Sequence, residues 1–224
     1  MIAIGLDGFR RGWVAVTIDG SHRGIAFPAD ISWLGAQRFG RAAIDIPIGM
    51  TDDGDRLCDR LARARLSPHG ARVFSGARRW LWERFRNPAS ANEEALRRGQ
   101  TRVSLQLWHL GPKIMEVDAF ARTHRHLDLR EAHPELVFLR LNAGTPLPSK
   151  HTEQGLALRR RLLLDNGFAD LDDWLSTHRR GTGAKRDDVL DACAVALAAA
   201  EPAGHLPVGE AHQDDCDLPM QIWF

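Results

Sequence analysis

Three features of the sequence predict an α/β fold with a mixed sheet that is flanked by helices. Two apolar segments, IAIGLD and GWVAVTID, follow each other closely at the N-terminus, as the strands of a hairpin do. A third candidate strand covers residues 23–27, after a turn at Asp19 and Gly20. The run RAAIDIPIG is typical of a buried strand that ends near Asp45. Three antiparallel strands, then α and β units that add parallel strands, indicate a mixed sheet with helices on both faces.

The remaining segments are predicted to be mostly helical. A short helix is expected near residues 31–37, and residues 104–125 predict a helix or helix pair with a break or kink at Gly111 and Pro112. The segment DLREAHPELVF indicates a strand that runs into a turn at His133 and Pro134. HTEQGLALRRRLLLDNG predicts an amphipathic helix that stops at Gly167, and RDDVLDACAVALAAA predicts a buried helix, because it is apolar nearly all round.

Charge divides the chain into a body, an insert and a tail. We expect an α/β domain over residues 1–200, with a basic helical insert at 52–103. Within the insert, residues 56–102 contain 12 arginines and four acids, a local net charge of +8. Residues 201–224 form an acidic tail with five acids and no lysine or arginine. Its closing apolar residues Ile222, Trp223 and Phe224 are expected to dock on the body.

The overall composition limits the class of protein. The formal net charge is +1, so nucleic-acid affinity has to come from local patches. No apolar run is long enough to span a bilayer, and the start of the chain lacks the pattern of a signal peptide. The three cysteines show no CxxC spacing, so we expect neither a disulfide framework nor a zinc ribbon. These features predict a cytoplasmic protein without a membrane partner, and they leave its oligomeric state undetermined.

Three carboxylates occur where an apolar core would exclude them. Asp7 ends the first apolar strand, Asp45 lies between isoleucines, and Asp191 lies in the second turn of the apolar final helix. A lone buried carboxylate is costly, so each needs a partner or a metal ion. For Asp7 the alternative is a local turn with Gly8.

The start of the final helix contains two further acids. Asp187 is a natural helix N-cap, and Asp188 lies three residues before Asp191, on the same helix face. Asp187 and Asp191, four residues apart, could share a face instead. Together with Asp7 and Asp45, the pair Asp188 and Asp191 forms a set of hard oxygen ligands, which favours Mg²⁺ or Mn²⁺.

Seven segments of the chain carry a resemblance to a known family. They are GLDGFRRGW, IDIPIGM, CDRLAR with VFSGARR, SLQLWHLGPKIMEVD, REAHPELVF, PSKHTEQGLALRR and DDVLDACAVA. In this order they resemble a bacterial and archaeal family of predicted ribonuclease H-like nucleases, the domain-of-unknown-function family number 429. The resemblance covers roughly residues 1–200.

The resemblance implies a ribonuclease H-like fold in which acids from two strands and the last helix gather at one site. Asp7 and Asp45 match the strand positions, and Asp188 with Asp191 matches the helical pair. The related junction resolvases resemble one another in carrying Glu where this chain has the shorter Asp45. Glu131 in REAHPE matches a further block of this family and is a candidate catalytic residue. The alternative is that Glu131 pairs with an arginine and that His133 and Pro134 only shape a turn.

Other residues are candidates for substrate contact. Lys113 and Lys150 could hold a phosphate as point charges, and His133 could relay a proton. Arg78 and Arg79 belong to SGARRWLWERF, where arginines alternate with aromatic residues, a pattern that can follow a nucleic-acid backbone. The alternative for that stretch is a helical subdomain with a Trp and Phe core.

The sequence therefore favours a metal-dependent nuclease that hydrolyses phosphodiester bonds of DNA or RNA with Mg²⁺ or Mn²⁺. One alternative is an ATP-dependent phosphotransferase or ATPase of the actin-like superfamily, which shares this sheet. The other is a protein on the same scaffold that binds nucleic acid without cleaving it.

Overall fold

The computed structural model describes all residues, Met1–Phe224, and its core is a five-stranded mixed sheet. Strands β1 and β2 and strands β2 and β3 pair antiparallel, whereas β4 is parallel to β1 and β5 is parallel to β4. The strand order is β3-β2-β1-β4-β5. This sheet confirms the predicted α/β fold. The strands are β1 (Ala3–Phe9), β2 (Gly12–Asp19), β3 (His22–Ala26), β4 (Arg41–Ile44) and β5 (Leu129–Glu131).

The structure contains nine α-helices. They are α1 (Ser32–Gly35), α2 (Leu57–Arg65), α3 (Arg79–Arg84), α4 (Pro88–Arg97), α5 (Leu105–Thr123), α6 (Pro134–Leu141), α7 (Glu153–Asp165), α8 (Leu171–Asp173) and α9 (Arg186–Ala200). A π-helical turn, Trp174–His178, continues α8, and Gly70–Arg72 forms one 3₁₀ turn. None of the helices combines the length and the apolar character that crossing a lipid bilayer requires.

The chain divides into two compact units, each built from separate stretches of sequence. The first unit comprises Met1–Asp45, His126–His205 and Trp223–Phe224. It contains the five-stranded sheet, helix α1 and helices α6 to α9. The second unit comprises Ile46–Arg125 and Leu206–Ile222, and it contains helices α2 to α5. The predicted insert at 52–103 lies within the second unit.

Helix α9 is central to the first unit because it packs directly on β1. Its residues from Val189 to Ala199 are all buried, as its apolar sequence predicts. A β-carbon placed on Gly5 would lie only 2.2 Å from the backbone nitrogen of Ala196 and 2.5 Å from the carbonyl oxygen of Ala192. The missing side chain of Gly5 therefore permits this close helix–strand contact.

The second unit has a core of aromatic and ionic contacts. Trp80 is buried, with the ring of Phe85 at its edge and the guanidinium of Arg98 4.4 Å from its ring centre. Arg79 is also buried and donates to both Asp118 and Asp214 at 2.7 Å. The aromatic residues of the insert thus form core contacts, which favours the helical-subdomain interpretation.

The structure refines the sequence-based expectation in two segments. The strand predicted before His133 and Pro134 is β5, and PELVFLRL then forms helix α6, because Pro134 occupies its first turn and the ring Nδ1 of the N-cap His133 accepts from the Glu135 N–H at 3.2 Å. Of the two alternatives for the next segment, a helix or a helix pair, the structure has the single helix α5 with Pro112 inside it. Pro112 has no N–H to donate to the carbonyl of Trp108, which instead accepts from Trp82 Nε1 at 3.1 Å.

The C-terminal tail is folded, as its apolar ending predicts. It forms two short ribbons, in which β6 (His205–Leu206) pairs with β9 (Ile222–Trp223) and β7 (His212–Gln213) pairs with β8 (Pro219–Met220). Trp223 also bridges to Ala132 beside β5, within the first unit, and the guanidinium of Arg130 lies 3.9 Å from its ring centre.

Candidate functional site

Two of the predicted carboxylates are neighbours at one end of the sheet. Strands β1 and β4 are parallel, with Leu6 opposite Ile44, so Asp7 and Asp45 are the next residues in register. The Asp45 N–H donates to the Leu6 carbonyl at 3.0 Å and fixes this alignment. Residues in register on parallel strands point to the same face. The side chains of Asp7 and Asp45 are therefore directed to one face of the sheet.

Helix α9 brings Asp188 and Asp191 to the same face. Gly5, which touches α9, lies two residues before Asp7 on β1 and so shares its face. Asp191 is only 3% exposed in the first half of α9. The prediction that Asp187 is the N-cap of this helix was wrong. Lys185 is the N-cap residue, and the carboxylate of Asp188 accepts its backbone N–H at 2.6 Å.

Burial and mutual repulsion raise the pKa values of all four acids. Burial raises the pKa of Asp7 well above its usual range, and the charges of Asp45, Asp191 and Asp188 raise it further. Burial and then the charge of Asp191 raise the pKa of Asp45 to about 8. The pKa of Asp188 rises to about 6, mainly through burial, and burial also raises the pKa of Asp191. The four carboxylates thus form one electrostatic cluster.

Lys150 supplies the positive charge of this cluster. Its Nζ lies 2.5 Å from Asp191 Oδ2 and 3.8 Å from Asp187 Oδ2. Burial alone would lower the pKa of Lys150, but the carboxylates of Asp191, Asp7 and Asp45 outweigh it and hold that pKa above its ordinary value. The second oxygen of Asp191, Oδ1, is buried and has no hydrogen-bond partner. The sequence named Lys150 as a phosphate contact without indicating its place among the acids.

Arg159 and Glu135 hold the loop that carries Lys150. The buried Arg159 guanidinium donates to Glu135 at 2.5 Å and to the carbonyls of Pro148 and Gly155 at 2.9 Å each. A β-carbon on Gly155 would lie 2.0 Å from the Ser149 carbonyl oxygen, so only glycine fits beside this loop. The charge of Glu135 also raises the pKa of Asp45. Sequence reasoning did not assign Arg159 or Glu135, although both lie in the quoted motifs REAHPELVF and PSKHTEQGLALRR.

Glu131, the fifth predicted catalytic acid, does not lie with the four aspartates. It is paired in register with Ile44, one residue before Asp45, so its buried side chain belongs to the opposite face of the sheet from Asp45. His133, the other candidate in this motif, serves as the N-cap of α6. Alternation along β4 and β5 therefore separates Glu131 from the acids with which it was grouped.

The other predicted substrate contacts lie in the second unit. Lys113 forms an ion pair with Glu116 at 3.0 Å. Arg78 is fully buried and donates to Gln100 at 2.7 Å and to the Thr101 carbonyl at 2.8 Å. Arg79 is 8% exposed. Both guanidinium groups are thus engaged inside their own unit, where they support its core.

The chemistry of the cluster fits a hard divalent cation. Four carboxylates offer oxygen donors, and the unpartnered buried Oδ1 of Asp191 is a polar atom that a cation would satisfy. No three His, Cys, Asp or Glu side chains converge as a ready-made ion cage, which agrees with the Lys150 ammonium lying among them. A cavity of about 360 Å³ in the second unit is lined by residues 53–55 and 98–101, none of which is a predicted site residue.

Comparison with known proteins gives one match. The family model described as "Protein of unknown function (DUF429)" matches residues 5–212. No curated protein and no solved structure matches the chain. The matched range contains all four clustered aspartates, Lys150, Glu135 and Arg159. The chain therefore belongs to the DUF429 family.

Proposed function

We propose that this protein is a metal-dependent nuclease that hydrolyses phosphodiester bonds in nucleic acid. The observation that carries the proposal is the cluster of Asp7, Asp45, Asp188 and Asp191 on one face of the first unit's sheet, with an unpartnered buried oxygen on Asp191. Structural ion pairs do not require four carboxylates that raise each other's pKa values, so this arrangement favours a functional site. Its acidic oxygens favour Mg²⁺ or Mn²⁺ as the cofactor.

Asp7, Asp45 and Asp191 are the residues that we expect to hold the cation, with Asp188 at the edge of the site. A bound divalent cation would supply Lewis-acid polarisation of a phosphoryl oxygen and charge neutralisation in the transition state. In the hydrolysis, water adds to phosphorus, the phosphorus–oxygen ester bond breaks, and a proton passes to the leaving oxygen. The chain's contribution is to fix the donor oxygens in a buried place on rigid elements.

Lys150 is the candidate for substrate contact in this site. A compact ammonium suits the neutralisation of a phosphate charge, and the raised pKa of Lys150 keeps it protonated at neutral pH. Arg159 acts as a positioning residue, because it bonds the Pro148 and Gly155 carbonyls on either side of Lys150. Arg78, Arg79 and Lys113 are not substrate contacts in this proposal, since each is paired within the second unit.

The two alternative functions that the sequence suggests can be distinguished experimentally. An actin-like phosphotransferase or ATPase would be stabilised by ATP, and a non-catalytic scaffold would bind nucleic acid without cleaving it. Neither has an observation of its own in this structure. We further propose that the protein acts in the cytoplasm, which the three free cysteines support.

The first testable prediction concerns metal binding and cleavage. Millimolar Mn²⁺ should raise the melting temperature of the wild-type protein, because a ligand that binds the folded state stabilises it. Asp7→Asn should lose this response and should lose cleavage of labelled single-stranded, double-stranded and branched DNA and RNA. Scanning calorimetry with and without EDTA measures the first effect, and gel assays measure the second.

The matched control is Asp187→Asn. Asp187 lies 3.8 Å from the Lys150 ammonium and its charge raises the pKa values of Asp188 and Asp191, but it is not one of the expected ligands, so this variant should keep the metal response. A wild-type melting temperature that ignores millimolar Mn²⁺ and Mg²⁺, together with no cleavage of any substrate, would refute the proposal. Stabilisation by ATP or binding without cleavage would favour the respective alternative.

A further inference from the structure

The two carboxylate oxygens of Asp191 are in different situations. Oδ2 accepts from the Lys150 ammonium at 2.5 Å, whereas Oδ1 is buried without any hydrogen-bond partner. Asp191 is only 3% exposed, so water does not solvate the free oxygen. Asp191 therefore uses Oδ2 to bind the Lys150 ammonium, and its Oδ1 remains available to a cation from solution.

We propose that the site takes a single divalent ion, and that the Lys150 ammonium takes the place of a second one. This inference rests on the proposed function, because it concerns the metal stoichiometry of the same site. The chemical class of the ligand is one hard divalent cation, Mg²⁺ or Mn²⁺, held by Asp7, Asp45 and Asp191 Oδ1.

The geometry of the acids supports one ion and not two. Two ions about 4 Å apart need carboxylates whose oxygens reach both. Asp191 Oδ2 is occupied by Lys150, and the carboxylate of Asp188 accepts the backbone N–H of Lys185 at 2.6 Å. Two of the four acids thus have one oxygen engaged by groups of the chain. These two oxygens are therefore less available to bridge to a second ion.

Electrostatics leads to the same conclusion. The Lys150 ammonium already neutralises part of the negative charge of the carboxylates, so a second divalent ion would be attracted less strongly than the first. The loop that carries Lys150 is also fixed by hydrogen bonds. Arg159 bonds the Pro148 and Gly155 carbonyls of the loop, and Gly155 packs against Ser149. The ammonium is therefore anchored beside Asp191.

The test is the number of Mn²⁺ ions bound per chain, measured by titration calorimetry and by electron paramagnetic resonance. The wild-type protein should bind one ion and give the spectrum of isolated Mn²⁺. Lys150→Gln removes the charge, so it should bind a second ion and show the spin coupling of a close Mn²⁺ pair. Lys150→Arg keeps the charge and should remain at one ion. Lys113→Gln, a lysine paired with Glu116 in the second unit, is the matched control and should also stay at one.

Each result decides the inference separately from the proposed function. Two coupled ions in the wild-type protein would overturn the inference while leaving the nuclease proposal intact. A single ion in Lys150→Gln, with circular dichroism showing a folded protein, would overturn it as well. Lys150→Met provides the same test if the glutamine variant fails to fold. No ion in the wild-type protein or in any variant would remove the metal site itself, and with it the proposed function.

Discussion

The surroundings of Asp45 strongly raise the pKa of its carboxyl group. Burial first, and then the negative charge of Asp191, raise its pKa to about 8 from 3.8. Lys150 opposes this shift, and Glu135 adds to it. A carboxyl group with such a pKa remains largely protonated at neutral pH unless a cation replaces the proton. At the residue scale, proton and metal ion are thus competitors for the same oxygen atoms.

This competition predicts the pH dependence of stability without metal. The folded-state pKa of Asp45 is raised, so its contribution to the free energy of unfolding is fully present below pH 3.8 and is lost as the pH rises through about 8. In EDTA, the free energy of unfolding from urea titrations should therefore contain a term that falls between about pH 4 and pH 8. Asp45→Asn removes the titrating group and should make the curve flatter over that window.

The affinity of the protein for Mn²⁺ should change over the same pH range. Mn²⁺ has to displace the proton, so its affinity for the wild-type protein should increase with pH up to about 8 and then level off. Calorimetric titrations at several pH values would show this increase. Equal Mn²⁺ affinity at pH 5.5 and pH 8, or a wild-type stability curve parallel to that of Asp45→Asn, would contradict the assignment.

At the scale of elements, the site depends on one close helix–strand contact. Helix α9 carries Asp188 and Asp191, and it reaches β1 only because Gly5 has no side chain. The small residues Ala192 and Ala196 form the opposite side of this contact. The distance between the acids of α9 and Asp7 is therefore set by packing two residues away from the acids themselves.

Gly5→Ala should consequently lower both the free energy of unfolding and the affinity of the site for Mn²⁺. Its β-carbon would meet backbone atoms of α9 at 2.2 and 2.5 Å, and backbone cannot move aside as a flexible side chain can. We expect a loss of about 1–3 kcal/mol in the free energy of unfolding, as for other overpacked cores. Mn²⁺ affinity should also fall, because α9 has to shift away from β1. Urea unfolding and calorimetric titration measure the two effects.

Gly24→Ala is the control for this variant. Gly24 lies in β3 of the same sheet, and a β-carbon there would have no atom closer than 3.9 Å. This change should leave both stability and Mn²⁺ affinity almost unaltered. If Gly5→Ala proved as harmless as Gly24→Ala, the contact between β1 and α9 would not be the determinant of the site.

At the scale of the whole molecule, the chain leaves each unit and later returns to it. In the second unit the returning segment, Leu206–Ile222, is fixed by Asp214. The carboxylate of Asp214 accepts the backbone N–H groups of Met50, Cys216 and Leu218 at 2.8–2.9 Å and the guanidinium of Arg79 at 2.7 Å. These hydrogen bonds outweigh burial and hold the pKa of Asp214 below its usual value. The acidic tail is thus a structural part of this unit.

Arg79→Met should therefore lower the free energy of unfolding of the second unit. It leaves the buried carboxylates of Asp118 and Asp214 without their shared cation, and breaking such buried pairs costs about 3–5 kcal/mol. Arg122→Met is the control, because Arg122 pairs with the same Asp118 but at 3.4 Å and with a side chain 44% exposed. That variant should lose about 0–1 kcal/mol. Equal losses in the two variants, measured by urea unfolding, would contradict the structural role of Arg79.

Local sequence patterns determined much of this protein. Alternation and turn residues predicted β1, β2 and β4, because strands that pack in a core need apolar side chains at regular intervals. The apolar sequence of α9 predicted its burial for the same reason. Asp7, Asp45 and Asp191 could be identified as candidates because an acid in an apolar segment needs a partner wherever the segment is finally placed.

Only the tertiary structure decided how those candidates are combined. The strand register assigns Glu131 to the opposite face from Asp45, although the two residues lie in equally motif-like segments. Packing buries Arg78 and Arg79 against partners such as Gln100 and Asp118, whereas it brings Lys150 to Asp191 across 41 residues of chain. The physical reason is that pleating, burial and charge pairing depend on which distant segments meet. A local pattern records the chemistry of a side chain but does not specify its neighbours.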